Sequence, residues 1–140
     1  MKALVEKGLV TTEEREFYRA PDSGSGDQAT ENYPLNEEQQ QAFEAIVGGV
    51  ERREFQTFLL RGITGSGKTE VYLQVIERAL AQGLDAIILV PEISLTPQTV
   101  GRFVARFSQD IAVLHSGLSL GERYDEWRRA QRGEVRIVGG

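Results

Sequence analysis

The sequence predicts an α/β fold with a mainly parallel sheet, and three observations predict it. From Leu35 onward, apolar runs of strand length alternate with stretches of helical periodicity. A glycine-rich turn ending in Lys68-Thr69 sits between one such run and an amphipathic stretch. Asp85 to Val90 is nearly continuous in apolar residues, as expected of a strand buried on both faces.

The elements follow in order. Asn36, with Gln39 three residues later, has the spacing of a capping box, and Ala42, Phe43, Ile46, Val47 and Val50 continue it as one helical face. Gln56 to Leu60 reads as a strand feeding Gly62. Val71, Tyr72, Val75, Ile76, Ala79 and Leu80 make the apolar side of a second helix, closed by Gly83. After the run at 85–90, Val100, Phe103, Val104 and Phe107 recur at i, i+3, i+4 and i+7. Ile111 to His115 reads as the next strand. Ser119 with Glu122 opens a last helix through Leu120, Tyr124 and Trp127, with Trp127 expected in the core. Gly133 ends it, and Val135 to Val138 is a final strand.

Ahead of this pattern lie two other zones. Met1 to Lys7 reads as the end of a helix closed by Gly8, followed by two short strands over 9–11 and 15–19. Residues 1–20 are too few to bury a core of their own. Residues 21–34, rich in Gly, Ser, Asp and Pro, have the composition of a flexible linker. The expected organisation is therefore 1–20, a linker over 21–34, and one α/β unit over 35–140.

Composition narrows the classes of function. The chain has 140 residues, 40% hydrophobic and 26% charged, which suits a globular domain. No apolar run approaches the ~20 residues that span a bilayer, and the N-terminus lacks a signal-peptide pattern. The expectation is a cytoplasmic protein with no membrane partner. The chain has no cysteine and one histidine, so thiolate and imidazole metal clusters are excluded within it. The net charge is −5. Residues 1–34 carry four Lys/Arg against seven Asp/Glu, and residues 35–140 twelve against fourteen. Nucleic-acid binding therefore has to come from a local site, not from bulk charge.

Gly62-Ile63-Thr64-Gly65-Ser66-Gly67-Lys68-Thr69 satisfies G-x-x-x-x-G-K-[ST] in full. Gly62, Gly65 and Gly67 permit backbone angles that turn N–H groups inward around an anion. A helix beginning near Lys68 adds the positive end of its dipole. Lys68 is expected to reach the β- and γ-phosphates, and Thr69 to ligate Mg²⁺. Gly62, Thr64, Gly65, Ser66, Gly67, Lys68 and Thr69 are thus candidate ATP contacts, Lys68 and Thr69 the catalytic pair. The loop alone does not name a reaction, because many activities share it.

Longer strings are more specific. Phe58 to Leu73 closely resembles the first helicase motif of the PriA family (primosomal protein N′, the replication-restart DNA helicases). Leu89-Val90-Pro91-Glu92-Ile93-Ser94-Leu95-Thr96-Pro97-Gln98-Thr99 resembles the family's motif Ia. Val113 to Ser119, Glu122-Arg123 and Trp127-Arg128 resemble its next block. Leu35-Asn36-Glu37-Glu38-Gln39 is similar to the entry helix beside the adenine, and Lys7-Gly8-Leu9-Val10 to the end of a winged-helix domain.

The resemblance implies part of a RecA-like P-loop NTPase domain preceded by a winged-helix remnant. It implies a superfamily 2 helicase with 3′→5′ polarity that uses ATP to unwind forked or single-stranded DNA and restart replication. The implied partners are DNA, primosome proteins and single-strand-binding protein. The family's DEAH-type box, second RecA-like domain, arginine finger and zinc-binding cysteines have no counterpart here. Arg136 to Gly140 begins like the family's Val-Gly-Thr-Arg-Ser stretch but ends in Gly-Gly. A chain that stops ahead of its hydrolytic carboxylates, inactive alone and with uncovered apolar sheet surface, is the expectation. Zinc is expected in the intact family, without ligands in this chain.

Several residues carry two readings. Gln39 can recognise adenine through its amide or complete the capping box on Asn36, and the two roles compete. Thr96, Gln98 and Thr99 can hold a DNA phosphate at a helix start, or Thr96 simply caps that helix with Pro97 at its first position. Glu92 is either a solvated loop carboxylate or an aid to Mg²⁺-bound water. Arg102 and Arg106 share one helix face, and Arg123, Arg128, Arg129 and Arg132 crowd another; both faces are either solvated surface or DNA contacts. His115 reads as structural. The rivals to a helicase segment are a P-loop phosphotransferase, against which the string Pro91 to Thr99 speaks, and a non-catalytic nucleotide-binding module, which suits an isolated chain without the hydrolytic carboxylates.

Overall fold

A computed structural model describes residues 32–91 and 97–140. The elements are α1 (Glu37–Arg52), α2 (Lys68–Ala81), β1 (Ala86–Ile88), α3 (Pro97–Phe107), a 3-10 turn (Ser108–Asp110), β2 (Ile111–Val113), α4 (Leu120–Gln131) and β3 (Ile137–Gly139). The predicted winged-helix remnant and most of the linker lie outside the described residues, as do Glu92 and Thr96.

The helices start where local chemistry says they should. Asn36 and Gln39 form a reciprocal capping box on α1, and Ser119 and Glu122 form another on α4. The α2 helix ends at Gln82, and Gly83 beyond it takes φ 76°, a left-handed angle that glycine adopts without strain.

The sheet has three strands in the order β1-β3-β2, all parallel. Ile137 stands opposite both Ala86 and Ile111, and Gly139 opposite both Ile88 and Val113. The core forms on one face of this sheet. Leu73 from α2 and Phe103 and Phe107 from α3 pack with Ile111, Val113 and Ile137. Ile76, Leu80, Ala86, Ile88, Val100 and Val104 pack against that cluster. No helix of the described residues is long and apolar enough to cross a membrane.

Three expectations need correction. Gln56 to Leu60 is not a strand, because no described strand lies alongside to take its hydrogen bonds. Phe55 and Leu59 are exposed there. The run at 85–90 contracts to Ala86–Ile88 and is buried on one face only: Ile87 stays 78% exposed, since no described element covers that side. Trp127 is 55% exposed, and α4 instead buries Glu126, which is 1% exposed.

That inversion has a cause in the sheet's margin. In a parallel pair the N–H and C=O of one residue point to the same side, so Ile111 and Val113 turn theirs away from β3. Glu126 accepts a hydrogen bond from the Val113 N–H at 3.0 Å. Arg129 pairs with Glu126 at 3.1 Å and donates to the carbonyls of Ile111 (3.4 Å) and Gln109 (2.7 Å). Two side chains of one helix thus stand in for a neighbouring strand.

Candidate functional site

The turn between Gly62 and Lys68 holds the site. Gly65 and Gly67 adopt φ 81° and 79°, angles that a Cβ would strain. At Gly62 the limit is space, since a Cβ there would lie 2.6 Å from Ser66 Oγ. A Cβ on Gly67 would collide with the Gln39 amide nitrogen. The Ser66 N–H closes the turn onto the Ile63 carbonyl at 3.2 Å.

Lys68 is the first residue of α2, and its ammonium bends back into the loop. Nζ donates to the carbonyls of Gly62 (2.6 Å) and Ile63 (2.8 Å) and to Ser66 Oγ (3.4 Å). Unlike α1 and α4, α2 has no side-chain cap: its N-cap is Gly67, which can offer none. The first-turn N–H groups of α2 and the ammonium of Lys68 therefore lie together at one helix start, with Thr69 the next residue.

That set of donors fits a polyphosphate, which brings charge and acceptor oxygens. It also fits Mg²⁺. Among the described residues no three His, Cys, Asp or Glu side chains gather to hold a metal ion, so the cation would rest on Thr69 and on the phosphates themselves. Magnesium commonly binds nucleotide sites in that way.

Gln39 reaches the loop from α1. Its Oε1 accepts from the Asn36 N–H at 2.8 Å, completing the cap. Its Nε2 donates to the Ser66 carbonyl at 2.8 Å. Gln39 thus combines its capping role with a direct hold on the phosphate loop. Recognition of a base would require its Nε2 to exchange Ser66 for the ligand.

Gln98 and Thr99 stand on another element, in the first turn of α3, with Pro97 as its first residue. Gln98 is exposed and Thr99 half-buried. Arg102 is exposed, but its expected companion Arg106 is not a surface cation. Its side chain is 4% exposed and pairs with Glu70 and Glu77 of α2. Arg129 is likewise committed to Glu126, which leaves Arg123, Arg128 and Arg132 of that group more open to solvent. Arg128 sits 5.5 Å from the Tyr124 ring centre and bonds its hydroxyl at 2.7 Å. His115 makes a local turn contact, its Nδ1 accepting from the Gly117 N–H at 3.1 Å.

Sequence reasoning missed Glu70 and Gln74 and placed Arg106 on the surface. The signal was slight. Arg106 lies three residues after Phe103 and just before Phe107, on the flank of the buried stripe, where a charge needs a partner.

A parallel α/β sheet, an uncapped helix behind a glycine loop and a lysine folded into that loop define a P-loop nucleotide-binding domain of the RecA-like helicase kind. The chain belongs to the family described as "Type III restriction enzyme, res subunit", whose model matches residues 32–138. Its relatives sharpen this. It is 54% identical to the replication restart protein PriA of Bacillus subtilis (strain 168) over 140 residues, all of this chain and 17% of that protein. It is 44% identical to the PriA of Synechocystis over 141 residues, covering 99% of the chain and 16% of the relative. With the PriA of Chlamydia pneumoniae it shares 50% over 104 residues, 74% of the chain and 14% of the relative. The resemblance read from the motif strings is borne out, and the chain spans less than a fifth of the length of these relatives.

Proposed function

We propose that this chain is the ATP-binding segment of a 3′→5′ DNA helicase that acts in primosome assembly and restart of stalled replication forks, in the cytoplasm. The observation that carries the reading is the Lys68 ammonium held within the glycine loop at an uncapped helix start. Gly62, Thr64, Gly65, Ser66 and Gly67 line the phosphates. Lys68 exchanges its carbonyl partners for β- and γ-phosphate oxygens, and Thr69 orients Mg²⁺. The cation, when bound, neutralises charge on the phosphates. Gln39 reads the adenine edge. Thr96, Gln98 and Thr99 contact the DNA backbone at the start of α3. Residues 1–20 form the end of a winged-helix domain joined by a linker over 21–34. Single-strand-binding protein and primosome proteins are the partners. The names of the relatives support a role in replication restart; polarity, substrate and partners are what the motif resemblance implies, and the loop geometry supports the nucleotide.

The test is nucleotide binding and ATP turnover by this chain, with and without forked DNA. We expect ATP binding without turnover. Lys68→Ala should weaken ATP by about 10- to 100-fold, the loss of a charge-assisted contact, and ADP by less. Equal losses for the two nucleotides would remove Lys68 from the γ-phosphate. DNA-stimulated turnover by this chain would show a nucleotide-binding unit complete in itself, contrary to the proposal.

A further inference from the structure

A buried ionic cluster behind the phosphate loop has no part in the site as described so far. Arg106 of α3 donates to Glu70 Oε1 at 3.2 Å and to Glu77. The Arg106 and Glu70 side chains are almost wholly enclosed, at 4% and 14% exposure. Enclosed charges of this kind persist only where geometry and further hydrogen bonds satisfy them. Glu70 Oε1 meets that condition by accepting two more donors, Gln74 Nε2 at 2.8 Å and the backbone N–H of Tyr33 at 3.3 Å. Gln74 Nε2 also donates to the Tyr33 carbonyl at 2.9 Å. Both polar groups of the Tyr33 backbone are therefore fastened to α2.

Tyr33 is three residues ahead of Asn36, whose N–H holds Gln39 Oε1, and Gln39 Nε2 holds the Ser66 carbonyl. Ser66, Lys68 and Glu70 are successive alternate residues across the loop and the start of α2. These links close a ring: Glu70 to Tyr33, along the chain to Gln39, across to Ser66, and back through Lys68 to Glu70. Arg106 stands outside the ring and braces it from α3.

We infer that Arg106 is a positioning residue for the base side of the nucleotide site, acting through Glu70 on the segment Tyr33–Gln39. The inference rests on the reading of the loop as a triphosphate site with Gln39 beside the base. Glu70 fixes where that segment leaves α2, and the segment fixes where Gln39 stands over Ser66. The phosphate cradle is built from Gly62 to Thr69 and keeps its own closures, the Ser66 N–H on Ile63 and Lys68 on Gly62 and Ile63, so the brace reaches it only through the Gln39 contact with Ser66. Loosening the brace should cost contacts with the base and spare those with the phosphates.

That separation can be measured with two ligands, MgATP and magnesium tripolyphosphate, which share phosphates and differ in the nucleoside. Titration calorimetry on the whole chain gives the ratio of their affinities. In the unsubstituted chain ATP should bind more tightly than tripolyphosphate. Glu70→Ala and Arg106→Met should lower that ratio by about fivefold to tenfold, the scale of one lost hydrogen bond, with tripolyphosphate affinity unchanged. Glu77→Gln touches the same arginine without touching Tyr33 and should leave the ratio intact. If Arg106→Met does not fold, Glu70→Ala carries the test, because Arg106 then keeps Glu77.

A preserved ratio in Glu70→Ala overturns the inference. So does parallel weakening of both ligands, or an equal fall in Glu77→Gln, since either marks a purely structural ion pair. A wild-type chain that binds tripolyphosphate as well as ATP also overturns it, while leaving the phosphate loop in place. A chain that binds neither overturns the triphosphate site and the inference together.

Discussion

Replacing Glu126 by alanine should destabilise the fold more than removing any exposed aromatic side chain of the same helix. Two losses add. The Val113 N–H, on a residue 7% exposed, would be left without an acceptor, at about 1–3 kcal/mol. Arg129 would lose its carboxylate. Because its side chain is 16% exposed and keeps the carbonyls of Gln109 and Ile111, this second loss is discounted to about 1 kcal/mol. The sum is about 3 kcal/mol, roughly a 150-fold shift in the unfolding equilibrium. Glu126→Gln keeps an acceptor for Val113 and gives up only the charge, so it should cost about 1 kcal/mol. Urea denaturation followed by far-UV circular dichroism reads both values. If alanine and glutamine cost the same, or alanine costs less than about 0.5 kcal/mol, Glu126 does not serve the strand margin and the reasoning fails.

Two further substitutions probe the loop and the core. Gly67→Ala imposes a Cβ on a residue at φ 79° and drives it toward Gln39; it should cost about 1–2 kcal/mol in stability and weaken ATP binding, and an alanine variant with unchanged affinity would count against the tight loop. Phe103→Ala should cost about 3–4 kcal/mol because the ring is buried in the central cluster. Trp127→Ala should cost under about 1 kcal/mol, with the same denaturation assay separating the two; a Trp127 effect as large as that of Phe103 would return that indole to the core.

What was legible in the sequence was what depends on near neighbours. Both capping boxes, at Asn36/Gln39 and Ser119/Glu122, need residues three apart and appear as read. The phosphate loop is a contiguous string whose glycine angles follow from the string itself. The parallel sheet followed from alternation, since crossover helices dictate it. Most of the failures involve a partner far along the chain. Gln56 to Leu60 has strand composition, but a strand exists only through its neighbour's hydrogen bonds. Arg106 reads as a surface residue because a charge is normally solvated; it is enclosed because opposite charges on another helix meet it. Trp127 then faces outward because Glu126, its neighbour in sequence, has taken the inward direction.

The sheet's two margins are unlike, and this gives it a direction of growth. At β2 the outward Val113 N–H is answered by Glu126 and the outward Ile111 carbonyl by Arg129, so an arriving strand meets an edge already partly taken. At β1, which has β3 as its one strand neighbour among the described residues, Ile87 and Leu89 stand open to solvent. For a foreign ribbon of chain, or a second molecule, that flank is the more open template among the described residues. For the experimenter the asymmetry is practical: a lysine placed at Ile87 or Leu89 acts as a gatekeeper against fibrous stacking, and a graft intended to widen the sheet belongs on the same flank.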